Sequence, residues 1–178
     1  MKKNIGYTLL IIIFGYIFYF INYHVGIAKV ISSSMNPTLK KNDYVVFYKS
    51  KKLKIKKYDI VIFKHDTILN IKRCLGVPKD SIFYYKKKIY NDELSKRFKK
   101  KSVKLIIPYK GFKLTNKDLK KYRYILKTDN NNFDMLQNYI FDKNYFYLVG
   151  DNIINSIDSK DYGLIENDAI VGKYLLKF

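Results

Sequence analysis

From Ile5 to Tyr23 nearly every position is hydrophobic and none is charged, whereas beyond Val30 short apolar runs alternate with Lys, Asn, Asp and Gly. The first stretch predicts one membrane-spanning helix, since at about 1.5 Å per residue it just crosses a hydrocarbon core of about 30 Å. Tyr7 at one end, with Tyr19 and Tyr23 at the other, stands where interfacial aromatics are favoured. Gly26-Ile27-Ala28 offers the small-x-small exit of a cleaved secretory signal, but the apolar stretch is longer than such a signal needs, so an uncleaved anchor is expected. Lys2 and Lys3 favour a cytoplasmic N-terminus, while Lys29, Lys40 and Lys41 follow the span. Charge bias alone therefore leaves the topology to the chemistry downstream.

After Val30 the period shortens to that of strands. Tyr44–Tyr48, Asp59–Phe63, Ile68–Lys72, Ser81–Tyr85, Tyr145–Val149 and Ala169–Tyr174 are rich in β-branched or aromatic residues and bounded by turn formers or Lys. Lys86–Leu94 fits a surface hairpin, with Asn91-Asp92 suited to left-handed turn positions. The expected fold class is mostly β: a single N-terminal transmembrane helix followed by a β-rich domain. Residues 95–143 are Lys-rich and weakly periodic, with one short helix expected over 116–124. The expected division is 1–28 as cytoplasmic tip and anchor and 29–178 as the folded domain, with 95–143 as an insertion-like region within it.

Composition narrows the function classes. With 35 Lys+Arg against 15 Asp+Glu the net charge is +20, which draws attention to anionic partners. Yet only Arg73, Arg97 and Arg123 are arginine, and the planar fork that reads bases and clamps phosphate belongs to Arg. Solvated lysine is the expected reading, with no specific nucleic-acid partner. One cysteine, Cys74, excludes an internal disulfide, and the two histidines, His24 and His65, stand apart, so neither a metal nor another cofactor is expected.

Three segments carry polar chemistry. The first, Ile31-Ser32-Ser33-Ser34-Met35-Asn36-Pro37-Thr38-Leu39, places three hydroxyls before a Pro turn, and by itself reads equally as a polar linker or cap. In the second, Asn70–Asp80, strand alternation sets Lys72 and Cys74 on one face and Ile71, Arg73 and Leu75 on the other. If the Lys72 face is the inner one, burial disfavours the ammonium and the amine becomes a general base; otherwise Lys72 is one more exposed lysine. The third, Val149–Ile165, packs Asn, Ser and Asp into a Gly-bounded loop, either a plain turn or a support for a catalytic amine.

Taken in order, Ser32-x-Ser34-Met35-x-Pro37-Thr38-Leu39, Asp59-Ile60-Val61, Lys72-Arg73-x-x-Gly76-x-Pro78-x-Asp80, Gly150-Asp151-Asn152-x-x-x-Ser156-x-Asp158-Ser159 and Gly163 resemble type I signal peptidases of the bacterial and organellar Ser-Lys dyad kind. The preceding anchor and the closing Ile170-Val171-Gly172-Lys173 agree with that resemblance. It implies a serine endopeptidase in which Ser34 is the nucleophile and Lys72 its general base. It further implies that Ser32, with the Ser34 backbone N–H, forms the oxyanion hole, that Ser156 orients the lysine amine, and that Asp158 supports the loop holding it. Met35 is a candidate wall of the substrate pocket. The implied substrates are secretory preproteins with small residues at the first and third positions before the cut, presented at the lipid bilayer. The implied location is the plasma (inner) membrane, single-pass, with the catalytic domain outside the cytoplasm.

The chain departs from that pattern at Ser33, Lys79, Ile153 and Lys160, where Gly, Gly, Arg and Arg are usual; none is a residue implied in the chemistry. Cys74 is expected as a small core residue, and His24 and His65 as incidental. Lys in the base position sets the chain apart from the endoplasmic-reticulum form. Competing readings are a specialised relative, such as a pilin-processing or mitochondrial inner-membrane peptidase, and a membrane-tethered basic binding module without enzymatic activity.

Overall fold

A computed structural model describes residues 2–50, 52–86, 88–96, 101–115, 118, 122 and 139–178. Helix α1 (Lys2–His24) is exposed from Gly6 to Tyr23, as its all-round apolar surface requires outside a protein core. Residues Gly6–His24 are long and apolar enough to cross a membrane. Among the described residues ten strands follow: β1 (Val25–Lys29), β2 (Tyr44–Lys49), β3 (Ile60–His65), β4 (Ile68–Gly76), β5 (Ser81–Tyr85), β6 (Lys88–Asn91), β7 (Val103–Ile106), β8 (Tyr145–Val149), β9 (Ile165–Glu166) and β10 (Ile170–Lys177). Short helix α2 (Ser159–Tyr162) lies between β8 and β9. The fold class is therefore mostly β behind one apolar helix, as expected.

Seven strands form one antiparallel sheet in the order β1-β2-β10-β3-β4-β8-β9, and β6-β5-β7 form a second. Between them Ile82, Ile107, Leu114, Phe141 and Tyr147 build one core, so the described parts of 95–143 contribute to packing. Val61, Phe63, Cys74 and Leu148 centre a second core. The expected helix over 116–124 falls largely outside the described residues.

Two local expectations differ. The β5–β6 hairpin closes at the Tyr85–Lys88 pair, with Lys86 at φ 47°, and not at Asn91-Asp92. Asn91 instead ends β6, and its side chain accepts from the Leu94 N–H at 2.9 Å to start the next turn. Strand β1 follows α1 without a break and straddles the boundary expected at residue 28; the apolar run of the helix masks its start.

Candidate active site

Burial of polar groups costs free energy unless they are partnered, so where they collect is informative. Apart from Asn91 and Ser95, the buried polar residues among those described are Ser34, Lys72, Ser156, Asp158, Ser159 and Lys160. All come from the three segments singled out by sequence.

Ser34 sits in the turn beyond β1. Its neighbours Met35 and Leu39 are fully buried with Val30, Val45 and Ile60, and the Leu39 N–H donates to the Met35 carbonyl at 2.9 Å, which pins the turn to the sheet. Lys72 lies in β4 opposite Val61 of β3. It faces inward with Cys74, so the alternation inferred from sequence has its inner face on the lysine side. The Lys72 ammonium donates to Ser34 Oγ at 2.6 Å. Among the described residues no carboxylate lies within ion-pair distance of it. Burial pushes its pKa below the ordinary lysine value; the Asp158 charge opposes that shift and the Lys160 charge adds to it.

Ser32 Oγ lies 3.1 Å from Ser34 Oγ. The Ser34 N–H has no partner among the described residues, which leaves two donors beside the hydroxyl. The loop after β8 closes the other side. The Asn152 N–H donates to the Ser34 carbonyl at 2.9 Å. Gly150 passes so close that a Cβ would land on Ser156 Oγ and the Ser34 carbonyl, so glycine is required there by proximity.

Asp158 is fully buried. It accepts from Gly150 N at 2.9 Å, Ser156 Oγ at 2.6 Å and the Lys160 ammonium at 2.5 Å, and it caps α2 through the Lys160 N–H. Ser156 therefore turns its hydroxyl to Asp158; no hydrogen bond joins it to Lys72. Met35, expected as a pocket wall, lies in the core and does not border the cleft beside Ser34. That cleft, about 160 Å³ and open to solvent, is bordered by Ala28, Val30, Val45, Ile62 and Ile71 together with Ser32, Ser34 and Lys72. The fully buried thioether fills the space under the Ser34 turn, where an apolar side chain gains most.

Sequence reasoning overlooked a fork that ties the three segments together. The Arg73 guanidinium donates to both oxygens of Asp151, each at 2.7 Å, and the Thr38 hydroxyl donates to Asp151 Oδ2 at 2.5 Å. Burial raises the Asp151 pKa, but the Arg73 and Thr38 donors outweigh it and hold the carboxyl below its ordinary value. All three residues stand in the quoted motifs. Their pairing carried no signal, because it spans up to 113 positions of sequence.

The departures are accommodated. Ser33 is exposed and needs no left-handed backbone. Lys79 does: at φ 78°, with the Asp80 N–H donating to the Val77 carbonyl at 3.0 Å, it occupies the glycine position of a type II turn. Ile153 is exposed on the loop, and Lys160 meets Asp158 with one donor where Arg would use two. Cys74 is fully buried, its thiol pushed up to about 12 by burial, which makes it inert. His65 stacks on Tyr162 and His24 on Tyr48, away from Ser34.

Residues 3–178 match the family model for signal peptidase, peptidase S26. Signal peptidase IB of Staphylococcus aureus (strain COL) is 33% identical over 191 residues, covering 100% of this chain and 91% of that protein. Inactive signal peptidase IA of Staphylococcus aureus (strain MRSA252) is 25% identical over 181 residues, covering 100% of this chain and 93% of that protein. A solved signal peptidase I from Enterococcus faecalis V583 is 18% identical and aligns over 68% of this chain and 97% of its own, with a TM-score of 0.33. Since one relative is named inactive, activity has to be argued from the residues this chain carries.

Proposed function

The chain belongs to the signal peptidase family, peptidase S26, and we propose that it is a working member: a membrane-anchored serine endopeptidase that removes N-terminal signal peptides from secreted preproteins. The observation that carries this reading is the buried Lys72 amine, 2.6 Å from the Ser34 hydroxyl and, among the described residues, without a counter-ion. A hydroxyl attacks a carbonyl only when a base takes its proton, and a desolvated amine with a lowered pKa is such a base.

In the proposed reaction neutral Lys72 accepts the Ser34 proton as Oγ bonds to the scissile carbonyl carbon. The Ser34 N–H and the Ser32 hydroxyl donate to the developing oxyanion, each such donor being worth about 3–4 kcal/mol in comparable hydrolases. Collapse breaks the C–N bond, and the Lys72 ammonium returns the proton to the leaving amine. Lys72 then deprotonates a water that attacks the acyl-Ser34 ester; the C–O bond to Ser34 breaks, the Lys72 ammonium returns its proton to Ser34 Oγ, and the signal peptide leaves with a new carboxylate. Asp158 and Ser156 act as supports of the loop over Ser34, and the Arg73–Asp151 fork keeps Ser34 and Lys72 in register.

The substrate enters as an extended strand. β8 pairs only with the Arg73–Gly76 end of β4, so among the described residues 68–72 keep a free edge along the cleft. A peptide laid there gains main-chain hydrogen bonds, while the shallow walls of Ala28, Val30 and Ile71 admit small side chains at the first and third positions before the cut. We place the tip and anchor in the apolar helix that ends at His24, and the domain that opens with β1 as the catalytic part outside the cytoplasm at the plasma membrane. The test is cleavage of a preprotein bearing an Ala-x-Ala site by the full chain in detergent. Processing by the wild type that Ser34→Ala and Lys72→Ala both lose supports the reading. Salt-sensitive anion binding without proteolysis would replace it with the basic binding module.

A further inference from the structure

A flexible tether lets a domain roam over a membrane, because its ends explore many separations. The join between α1 and the sheet has no such freedom. His24 ends the helix and Val25 begins β1, with no residue between them. The Lys49 ammonium donates to the Asn22 carbonyl at 3.0 Å, satisfying a group that the helix end leaves unpaired. The His24 ring stacks on Tyr48 with centroids 5.6 Å apart and planes at 15°, and Phe20, one turn earlier, packs on His24 at 4.9 Å.

Beyond the join the chain stays fixed. β1 pairs with β2 from Val25↔Tyr48 to Lys29↔Tyr44, and Val30 exchanges two more backbone bonds with Asp43 and Asn42. The register has little freedom, since the Phe47 ring lies where a Cβ on Gly26 would be. A one-residue slip would drive a larger side chain into that ring and invert both faces of the strand. The apolar surface of α1 continues onto the sheet through Ile27 and Leu176, both paired with Val46 and more than half exposed.

We propose that this join is a rigid spacer: it sets the height of the cleft above the bilayer, and so the number of residues a membrane-anchored substrate must have between its own span and the bond that is cut. The proposal rests on the peptidase reading of Ser34 and Lys72. Residues 25–30 in strand geometry reach about 20 Å. A substrate leaving the same interface in the same extended form covers that distance in about six residues. A much shorter segment fails to reach the cleft, whereas a longer one loops out at a cost that grows only slowly with length.

The test uses the full chain in nanodiscs with anchored substrates in which one cleavage sequence follows the span at about three to about twelve residues. Wild type is expected to show an optimum near about six residues, with at least about a tenfold fall for spacers too short to reach. A Gly-Ser-Gly-Ser insert between His24 and Val25 flattens this profile to within about threefold while a soluble peptide with the same sequence is cut as before. Identical profiles with and without the insert overturn the proposal. Should the insert impair soluble-peptide cleavage, Lys49→Met with His24→Ala frees the helix end without lengthening the chain; it must broaden the profile, and an unchanged one counts against the spacer. A second readout needs no activity: Ile154→Cys, on the loop packed over Ser34, carries a fluorophore, and energy transfer to acceptor lipids reports its height. One narrow distance in wild type and a longer, broader one in the insert are expected. If no substrate is cut, the peptidase reading falls, while this distance still decides whether the join holds the height.

Discussion

Lys72 and Lys160 are equally hidden, 4% and 5% exposed, yet they keep opposite company. Lys160 meets the Asp158 carboxylate at 2.5 Å, and its own backbone N–H also bonds to that carboxylate. Among the described residues, Lys72 meets only the neutral hydroxyl of Ser34, at 2.6 Å. Lys160 holds a loop through its ion pair, whereas burial without a carboxylate alongside pushes Lys72 toward the neutral amine. The difference between a structural lysine and a basic one here is the counter-ion and not the depth.

The strongest way to break this comparison is to remove the unpaired amine or its target. Ser34→Ala and Lys72→Met are each expected to lower kcat by at least about 10⁴-fold, as in other nucleophile–base pairs. The Met variant should also be more stable, by about 0.5–2 kcal/mol, as when a strained functional group is replaced by a packed one. The sign follows from linkage: the folded pKa of Lys72 lies below 10.5, so between the two values the unfolded chain binds more protons and wild-type stability climbs with pH. Lys72→Met should flatten that climb, and a thermal midpoint lowered at neutral pH would mean that the ammonium is well accommodated after all.

Breaking a pair that touches neither lysine comes next. Asp151→Asn leaves Arg73 with one good acceptor fewer and is expected to cost about 2 kcal/mol in denaturant unfolding. It should also lower kcat by about 10- to 100-fold as Ser34 and Lys72 shift relative to one another. Loss of stability with full kcat would make the fork a brace alone.

Removing the paired cation sharpens the contrast further. Lys160→Met deletes a charge that lowers the Lys72 pKa and frees the Asp158 charge that raises it, so both changes move it upward. At any given pH less neutral amine remains, and the acidic limb of the kcat/KM profile should shift to higher pH, with Lys160→Arg close to wild type. A profile that does not move would mean the two lysines are electrostatically independent.

The smallest effect concerns a lysine that is misplaced in backbone terms. Lys79→Gly relieves a left-handed conformation at φ 78° and is expected to stabilise by less than about 1 kcal/mol, since glycine's freedom when unfolded offsets part of the relief. Urea unfolding reads it, and cleavage should be unaffected.

Much of this was legible in the chain itself. The uncharged run to Tyr23 marked α1, alternation at Ile71–Leu75 put Lys72 and Cys74 on one face, and the ordered motifs singled out Ser34, Lys72, Ser32, Ser156 and Asp158. Strand β1 was not, because a five-residue strand abutting an apolar helix has no boundary of its own. Which side of the turn Met35 faces was not legible either, since being beside the nucleophile in sequence does not say which side is buried.

Periodicity, turn chemistry and the identity of the reactive groups are properties of neighbouring residues, and the amino-acid order determined them. Which lysine loses its water without gaining a carboxylate, and that Arg73 and Thr38 both grip Asp151, depend on residues 38 to 113 positions apart that only the closed sheets bring together. Desolvation and ion pairing act over a few ångströms of space, so the tertiary structure decided them.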